Sequence, residues 1–106
     1  MNNQKLSIVY TTIATLQEAE TLAEQAVIGK YAACVNIIPG ALSVYEWEGK
    51  LEKSQECLLL FKTMNAKAEE LKQWIVEKHS YSVPAILCSS IETSPDFYRY
   101  VNSKIL

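Results

Sequence analysis

Residues 51–63 constrain the fold of this chain more than any other segment, because their pattern predicts one strand of 13 residues that begins directly after a turn. Strands average about 5–6 residues, and at about 3.3 Å per residue this strand would span roughly 43 Å. A compact domain of this size has a radius of gyration of about 13 Å. We therefore expect the strand and the partner strand before it to extend beyond the core of their own protomer as a two-stranded ribbon.

The stretch VYEWEGKLEK, residues 44–53, would form the outer part of this ribbon. Tyr45 and Trp47 alternate with Glu46 and Glu48, and successive side chains of a strand point to opposite faces. The pattern therefore predicts two aromatic rings on one side of the strand and two carboxylates on the other.

The turn of the ribbon is predicted at Gly49 and Lys50, because a glycine at the first of two turn residues is typical of a type II′ hairpin. That turn would place Glu46 opposite Lys53 as an ion pair across the two strands. Such a pair stabilises a hairpin by about 0.2–1 kcal/mol.

The overhang of the ribbon predicts self-association. An isolated two-stranded hairpin is marginally stable in water, and its open edges and exposed rings favour pairing with further chains. A closed cyclic oligomer uses up those edges, whereas open propagation would make fibres. We predict a stable oligomer well above the chain mass of 11.9 kDa. The alternative is a ribbon that bends at Pro39-Gly40 and Gly49 and folds back on its own core.

The rest of the chain alternates between strand and helix patterns. Residues 5–13 and 31–38 are apolar and β-branched runs of strand length, and Pro39-Gly40 would end or bend the second of these. Thr15 and Glu18 have the spacing of a capping box before the first helix. Gly29 supplies the stop of that helix, whose apolar face is predicted to be Ala19, Leu22, Ala23, Ala26 and Val27.

A second helix is predicted over residues 65–78, with Asn65 as its N-cap. Its apolar stripe is Ala68, Leu71 and Ile75. Pro84 precedes the last strand, and Ser94-Pro95 predicts the start of a short C-terminal helix. The order of these elements predicts an α+β fold, a ferredoxin-like βαββαβ arrangement with an antiparallel sheet, a long central hairpin and both helices on one face. A single domain would cover residues 1–106.

Charge and hydropathy exclude several classes of partner. Lys and Arg number 10 and Asp and Glu number 12, for a net charge of −2, which argues against a dedicated nucleic-acid binder. The first residues have no charged segment followed by a long apolar stretch, as a signal peptide would. No apolar run approaches the roughly 18 residues of a membrane span. We expect a cytoplasmic protein without a nucleic-acid or membrane partner.

Few side chains suit catalysis. His79, Asp96 and Arg99 are each the only residue of their type, and no nucleophile elbow or phosphate-binding loop surrounds them. A pair of His79 with one of the cysteines stays open, since the fold could bring them together. We predict that the protein is not an enzyme.

Metal binding is a second hypothesis, because His79 and the cysteines are ligands that suit copper or zinc. The chain has no Cys-x-x-Cys or paired histidine motif, although a site shared between subunits would leave no such spacing. Cys34, Cys57 and Cys88 each lie in an apolar stretch, which is typical of small buried hydrophobic residues.

A third hypothesis is a small-molecule cleft between subunits, where Tyr45 and Trp47 would provide aromatic surface beside polar side chains. The polar candidates are Lys50, Glu56, Lys62, His79 and Tyr81. The alternative for these residues is an interface network whose hydrogen bonds are all satisfied.

Several motifs in a fixed order resemble the CutA divalent-cation tolerance family. They are CVNIIPG (34–40), YEWEGK (45–50), Glu56, Lys62-Thr63 and HSYSVP (79–84), within a resemblance that covers about residues 6–101. The resemblance implies a ferredoxin-like protomer and a homotrimer locked together by the ribbons, with a likeness to the trimeric PII nitrogen-signalling proteins. It also implies a link to tolerance of copper and other divalent cations, without an established enzymatic reaction.

Residue by residue, the resemblance implies that His79 is the first candidate metal ligand and Cys34 the second. It places the other matching positions at the subunit junction: Tyr45, Trp47, Lys50, Glu56, Lys62 and Tyr81. Ser80, Ser82 and Ala85 stand where the family has proline or glutamate, which removes potential ligands near His79. We therefore expect weak or conditional copper binding. The alternative function is a PII-like signalling or scaffold trimer that binds a metabolite or a protein partner in its inter-subunit cleft.

Overall fold

The computed structural model describes residues 4–105; residues 1–3 and 106, at the ends of the predicted domain, lie outside the described residues. The elements are β1 (Lys5–Ile13), α1 (Leu16–Ile28), β2 (Cys34–Trp47), β3 (Lys50–Met64), α2 (Ala68–Lys78), β4 (Leu87–Glu92) and α3 (Pro95–Ile105), with a short 3-10 helix at Asn65–Lys67. The sheet has the order β2-β3-β1-β4 and its neighbouring strands are antiparallel. The predicted α+β, ferredoxin-like fold with a long central hairpin is confirmed.

Both ends of α1 are set by local sequence. The Thr15 hydroxyl accepts a hydrogen bond from the Glu18 backbone N–H at 3.1 Å and donates to the Glu18 carboxylate at 2.9 Å. Such a cap stabilises a helix by about 1 kcal/mol. At the other end, Gly29 has a φ of −79°, and the left-handed residue is Lys30, with a φ of 63°. A Cβ at Gly29 would lie 3.1 Å from both the Tyr31 ring and the Gln25 carbonyl oxygen, so a larger residue there would be crowded.

The main core lies between the sheet and helices α1 and α2. The predicted apolar stripes of both helices face it, except for Val27, which is 41% exposed, and Ala68, which is buried outside the main cluster. Its buried residues are Val9, Ile13, Ala19, Leu22, Ala23, Ala26, Ala32, Cys57, Leu59, Phe61, Leu71 and Ile75. Helix α3 contributes Val101 to a smaller cluster with Leu6 and Ala33.

The predicted N-cap of α2 is wrong. The helix begins at Ala68, after the 3-10 turn, and its first turn has no side-chain cap. The Asn65 side chain instead accepts a hydrogen bond from the Ser7 hydroxyl at 2.6 Å and donates one to the Ser90 hydroxyl at 3.1 Å. Asn65 therefore ties β1 and β4 to the start of the helical segment, a role that depends on contacts distant in sequence.

The ribbon overhangs the core, as predicted. Strand β1 pairs with β3 only from Cys57 onward, whereas β2 pairs with β3 out to Trp47 and Lys50. Residues 41–56 thus form a two-stranded ribbon, which we call the ribbon below. The protomer measures 48 Å along its longest axis, against 28 and 22 Å along the others.

The turn of the ribbon lies one residue earlier than predicted. Trp47 pairs with Lys50, so the two turn residues are Glu48 and Gly49, with φ values of 50° and 80°. Two positive φ values define a type I′ turn, not type II′. The sequence did not indicate this, because a residue such as Glu48 rarely adopts a left-handed conformation.

The shifted turn changes the cross-strand pairs. Glu46 lies opposite Leu51 and not opposite Lys53. The predicted ion pair between Glu46 and Lys53 is therefore wrong, and Lys53 instead faces Val44.

Strand β2 continues through Pro39 and Gly40 instead of ending there. Ile38 pairs with Leu58, and the next pair is Ala41 with Glu56. Two residues of β2, Pro39 and Gly40, therefore oppose one residue of β3, Cys57. Gly40 has a φ of 82°. This is a β-bulge on an edge strand, where the missing proline N–H is tolerated.

One face of the sheet is left largely open. Residues that pair directly across antiparallel strands lie on the same face of the sheet. The register places a set of apolar side chains on the face that α1 and α2 do not cover. Ile38 is 45% exposed there and Leu87 is 61% exposed. We call this surface the open sheet face. Helix α3 packs on Leu6 and Met64 at one end of it, and its other apolar residues are Ile8, Tyr10, Ile38, Leu58, Leu60, Leu87 and Ile91.

Candidate functional site

A cleft of about 410 Å³ lies where the ribbon meets the segment between α2 and β4. This volume falls in the range of small-molecule sites, about 300–1,000 Å³. Four residues predicted for a cleft are brought together in it: Tyr45, Trp47, Glu56 and Tyr81. The remaining lining residues are Thr12, Ser82, Val83 and Ala85.

The register of the ribbon explains why these side chains share a wall. Glu56 lies directly opposite Ala41, the first pair beyond the bulge. Every second residue of β2 from Ala41 onward points to the same side, which includes Tyr45 and Trp47. The carboxylate and the two rings therefore face the cleft together.

Glu56 is a buried carboxylate, with 8% of its surface exposed. One of its oxygens accepts a hydrogen bond from the Tyr81 hydroxyl at 2.5 Å. Burial is the largest single influence on its pKa and raises it, but side-chain hydrogen bonds from Ser43, Tyr81 and Thr12 outweigh burial, so the pKa of Glu56 lies below its ordinary value. Glu56 is therefore charged at neutral pH.

Tyr81 has the opposite shift. Burial, followed by the hydrogen bond to Glu56 and the charge of Glu56, raises the pKa of the Tyr81 hydroxyl far above its ordinary value. The hydroxyl stays protonated and serves as a donor. Both pKa shifts favour the same protonation state, in which a neutral phenol donates a hydrogen bond to a charged carboxylate.

His79 ends α2 and is buried. Its Nε2 lies 2.7 Å from the Thr12 carbonyl oxygen, and its Nδ1 lies 3.0 Å from the Tyr81 backbone N–H. A carbonyl can only accept and an N–H can only donate, so the proton is on Nε2 and the lone pair of Nδ1 is used. The imidazole fixes the start of the segment that carries Tyr81.

This geometry does not fit a metal site within one protomer. Neither nitrogen of His79 presents a free lone pair to an ion, and among residues 4–105 no three His, Cys, Asp or Glu side chains are grouped closely enough to hold one. Cys34 lies opposite Lys62 on β3, whereas Thr12, the partner of His79, lies opposite Leu58. Four strand positions correspond to about 13 Å, so the structure does not bring Cys34 to His79.

The other predicted candidates lie outside the cleft lining. Lys50 is exposed beside the turn, opposite Trp47. The Lys62 ammonium donates to the Asn36 side chain and, at 3.3 Å, to the Leu60 carbonyl oxygen. Cys57 is buried in the core and Cys88 is exposed on β4.

Sequence reasoning missed two donors to the site. Ser43 could have been found, since it continues the two-residue spacing of Tyr45 and Trp47 toward Glu56. Thr12 carried no local signal, because its role comes from the packing of the end of β1 against a segment nearly 70 positions later in the chain, where it meets His79.

Comparison with known proteins assigns the family. A model of the CutA1 divalent ion tolerance protein family matches residues 7–104. This chain belongs to that family. The chloroplastic CutA of Arabidopsis thaliana is 41% identical over 91 residues, covering 86% of this chain and 50% of that protein. The CutA homolog of Xenopus laevis is 38% identical over 97 residues, covering 91% and 64%. The chain thus spans only half to two thirds of these two relatives.

This chain covers more of the length of a bacterial relative. The divalent-cation tolerance protein CutA of Yersinia pestis is 36% identical over 100 residues, which are 93% of this chain and 84% of that protein.

Solved CutA structures share the fold described above. A CutA structure from Synechococcus elongatus has a TM-score of 0.94 and 32% identity, covering 100% of this chain and 95% of that one. CutA1 from Ehrlichia chaffeensis has a TM-score of 0.93 and 30% identity, covering 100% and 98%. A second Synechococcus elongatus CutA structure, with a TM-score of 0.88 and 31% identity over 98% and 97% of the chains, is a complex with a Bis-Tris molecule. Among residues 4–105 of this CutA1 family member, no helix combines the length and the apolar character of a membrane span.

Proposed function

We propose that this CutA1 family member acts as a homotrimer in divalent-cation tolerance, and that it acts by binding instead of catalysis. The observation that carries the proposal is the open sheet face beside an overhanging ribbon. An isolated protomer would leave Ile38 and Leu87 in water at 45% and 61% exposure. Continuous apolar surface of this kind marks an interaction site.

The two edges of the sheet support a closed assembly. Strands β2 and β4 each pair on one side only within the described chain, and unpaired edges tend to recruit further strands. A ring satisfies such edges without open growth. Three subunits is the number that the resemblance to the CutA family implies.

The assembly is tested by its mass in solution. Light scattering on the purified protein at low micromolar concentration is expected to give about three times the 11.9 kDa chain mass. A mass of one chain would overturn the trimer and the inter-subunit position of the cleft.

Copper binding is proposed to be weak and conditional. His79 can offer a lone pair only after it leaves Thr12 or the Tyr81 backbone N–H, and the free energy of those hydrogen bonds is subtracted from the affinity for the ion. Cys34 would have to come from another subunit, because the two residues are far apart in one chain.

Calorimetric titration with Cu²⁺ tests whether His79 is a ligand. His79→Ala is expected to lose the binding heat of the wild type, while Tyr81→Phe, which keeps the imidazole and its backbone partners, retains it. Equal titration curves for the wild type and His79→Ala would exclude His79 as a ligand.

A second function has its own support in the cleft. A PII-like signalling or scaffold trimer would bind a metabolite or a protein segment there, and the cleft combines a charged carboxylate with two aromatic rings. The complex of a related CutA with Bis-Tris supports small-molecule binding. A thermal shift caused by metabolites but not by metal ions would favour this function.

A further inference from the structure

We propose that the cleft binds a small organic cation, an amine with an apolar or aromatic body. Its ammonium group would pair with Glu56, and its body would pack against Tyr45 and Trp47. This inference rests on the small-molecule function proposed above and names the ligand class for it.

Glu56 is a buried charge that forms no ion pair among residues 4–105, although the nearby His79 contributes a smaller electrostatic attraction. The ion pairs found within residues 4–105 lie on the helices and the segment before α2: Lys67 with Glu70, Lys72 with Glu69, and Arg99 with Asp96. None of these pairs includes Glu56, whose hydrogen-bond partners are the neutral hydroxyls of Ser43, Tyr81 and Thr12. The hydroxyls stabilise the charged form of Glu56, so its negative charge remains on the wall of the cleft. A cation from outside the chain would pair with this charge.

The aromatic wall determines the body of the ligand. Tyr45 and Trp47 line the same cleft as Glu56 yet remain partly exposed. Tyr45 lies beyond Ala41, which faces Glu56, on the same side of β2. A ligand that reaches both ends carries its charge at one end and a flat apolar group at the other. Rings also attract cations through their π faces.

The donor set favours an ammonium group over a metal ion. Calcium takes 6–8 oxygen ligands and transition metals prefer nitrogen or sulfur, whereas the cleft offers one carboxylate and hydroxyl groups. An ammonium group has three donors and needs only acceptors around it. One buried carboxylate is sufficient for that purpose.

Phenethylamine and phenethyl alcohol are matched probes, because they differ only in an ammonium or a hydroxyl group. Calorimetric titration in phosphate buffer, free of other amines, is expected to show the amine binding at least about tenfold more tightly, as a charged hydrogen-bonded pair would provide. Glu56→Gln is expected to remove that preference. Glu24→Gln, which changes the same charge on the exposed side of α1, is expected to keep it.

Three results would overturn the inference: equal binding of both probes, binding of neither, or a preference that survives Glu56→Gln. Binding of neither would include the case in which a lysine of a second copy occupies Glu56. If Glu56→Gln does not fold, Trp47→Leu serves instead, and unchanged amine affinity in it contradicts the proposal. Light scattering on the same samples distinguishes failure of this inference from failure of the trimer proposal. A trimer that shows no preference for the amine disproves only this inference. A monomer that prefers the amine disproves only the trimer.

Discussion

Leu87→Asp is expected to convert the assembled protein into monomers. Leu87 is 61% exposed in the protomer, so a charge there costs an isolated chain little. In a trimer that buries the open sheet face, the remaining exposed part of each Leu87 side chain would contribute about 1–2 kcal/mol, and an unpaired aspartate in its place would cost more. Because every subunit carries the change, the mass from light scattering should fall to about one third.

Ile28→Asp is the matched control for this result. Ile28 is 81% exposed at the end of α1, which packs on the other side of the sheet. The same new charge at that position should leave the mass unchanged. A Leu87→Asp protein that keeps the full mass would show that the open sheet face is not an interface.

Shortening the ribbon is expected to have the second large effect. Ser43 and Ser54 are directly opposed, so residues 44–53 can be replaced by Asn-Gly, the sequence that a two-residue type I′ turn favours. The pairing of β1 with β3 begins only at Cys57, so the core should survive and the helical circular dichroism signal should be retained. Each subunit loses four large apolar side chains, namely Val44, Tyr45, Trp47 and Leu51.

If the ribbon locks the subunits together, the shortened protein dissociates at low micromolar concentration and its melting temperature falls by more than about 10 °C. Glu48→Asn in the full-length ribbon introduces the same Asn-Gly turn and is the control; it should melt at or slightly above the wild-type temperature, because asparagine tolerates the positive φ of that position better than glutamate. A shortened protein that matches this control in mass and melting temperature would show that the ribbon does not hold the assembly.

The elements of the fold were predictable because their signals are local. The spacing of Thr15 and Glu18 marked the start of α1, and the length of residues 51–63 favoured an overhang over a ribbon folded back on its own core. Errors arose where a local signal was ambiguous. The turn was misplaced because Glu48 adopts a conformation that a glutamate seldom adopts, and Asn65 was assigned to a cap although its partners lie on β1 and β4.

The candidate site was only partly predictable for the same reason. The rings of Tyr45 and Trp47 followed from alternation along one strand. The chemical state of Glu56 and His79 did not, because it depends on Thr12 and Tyr81, which only the folded chain brings beside them. No pattern in the sequence showed that both imidazole nitrogens would be used internally.

The bulge at Pro39 and Gly40 determines which side chains of the ribbon lie on each of its two faces. At the bulge, two residues of β2 oppose a single residue of β3. As a result, odd-numbered residues after the bulge, such as Tyr45, lie on the same face as the even-numbered Ile38 before it. If both residues were ordinary strand residues, the aromatic and aliphatic sides of the ribbon would be exchanged. A ribbon of this kind can therefore grow or shrink by two residues per strand without inversion, whereas a single insertion or deletion in β2 beyond the bulge needs a second bulge to compensate it.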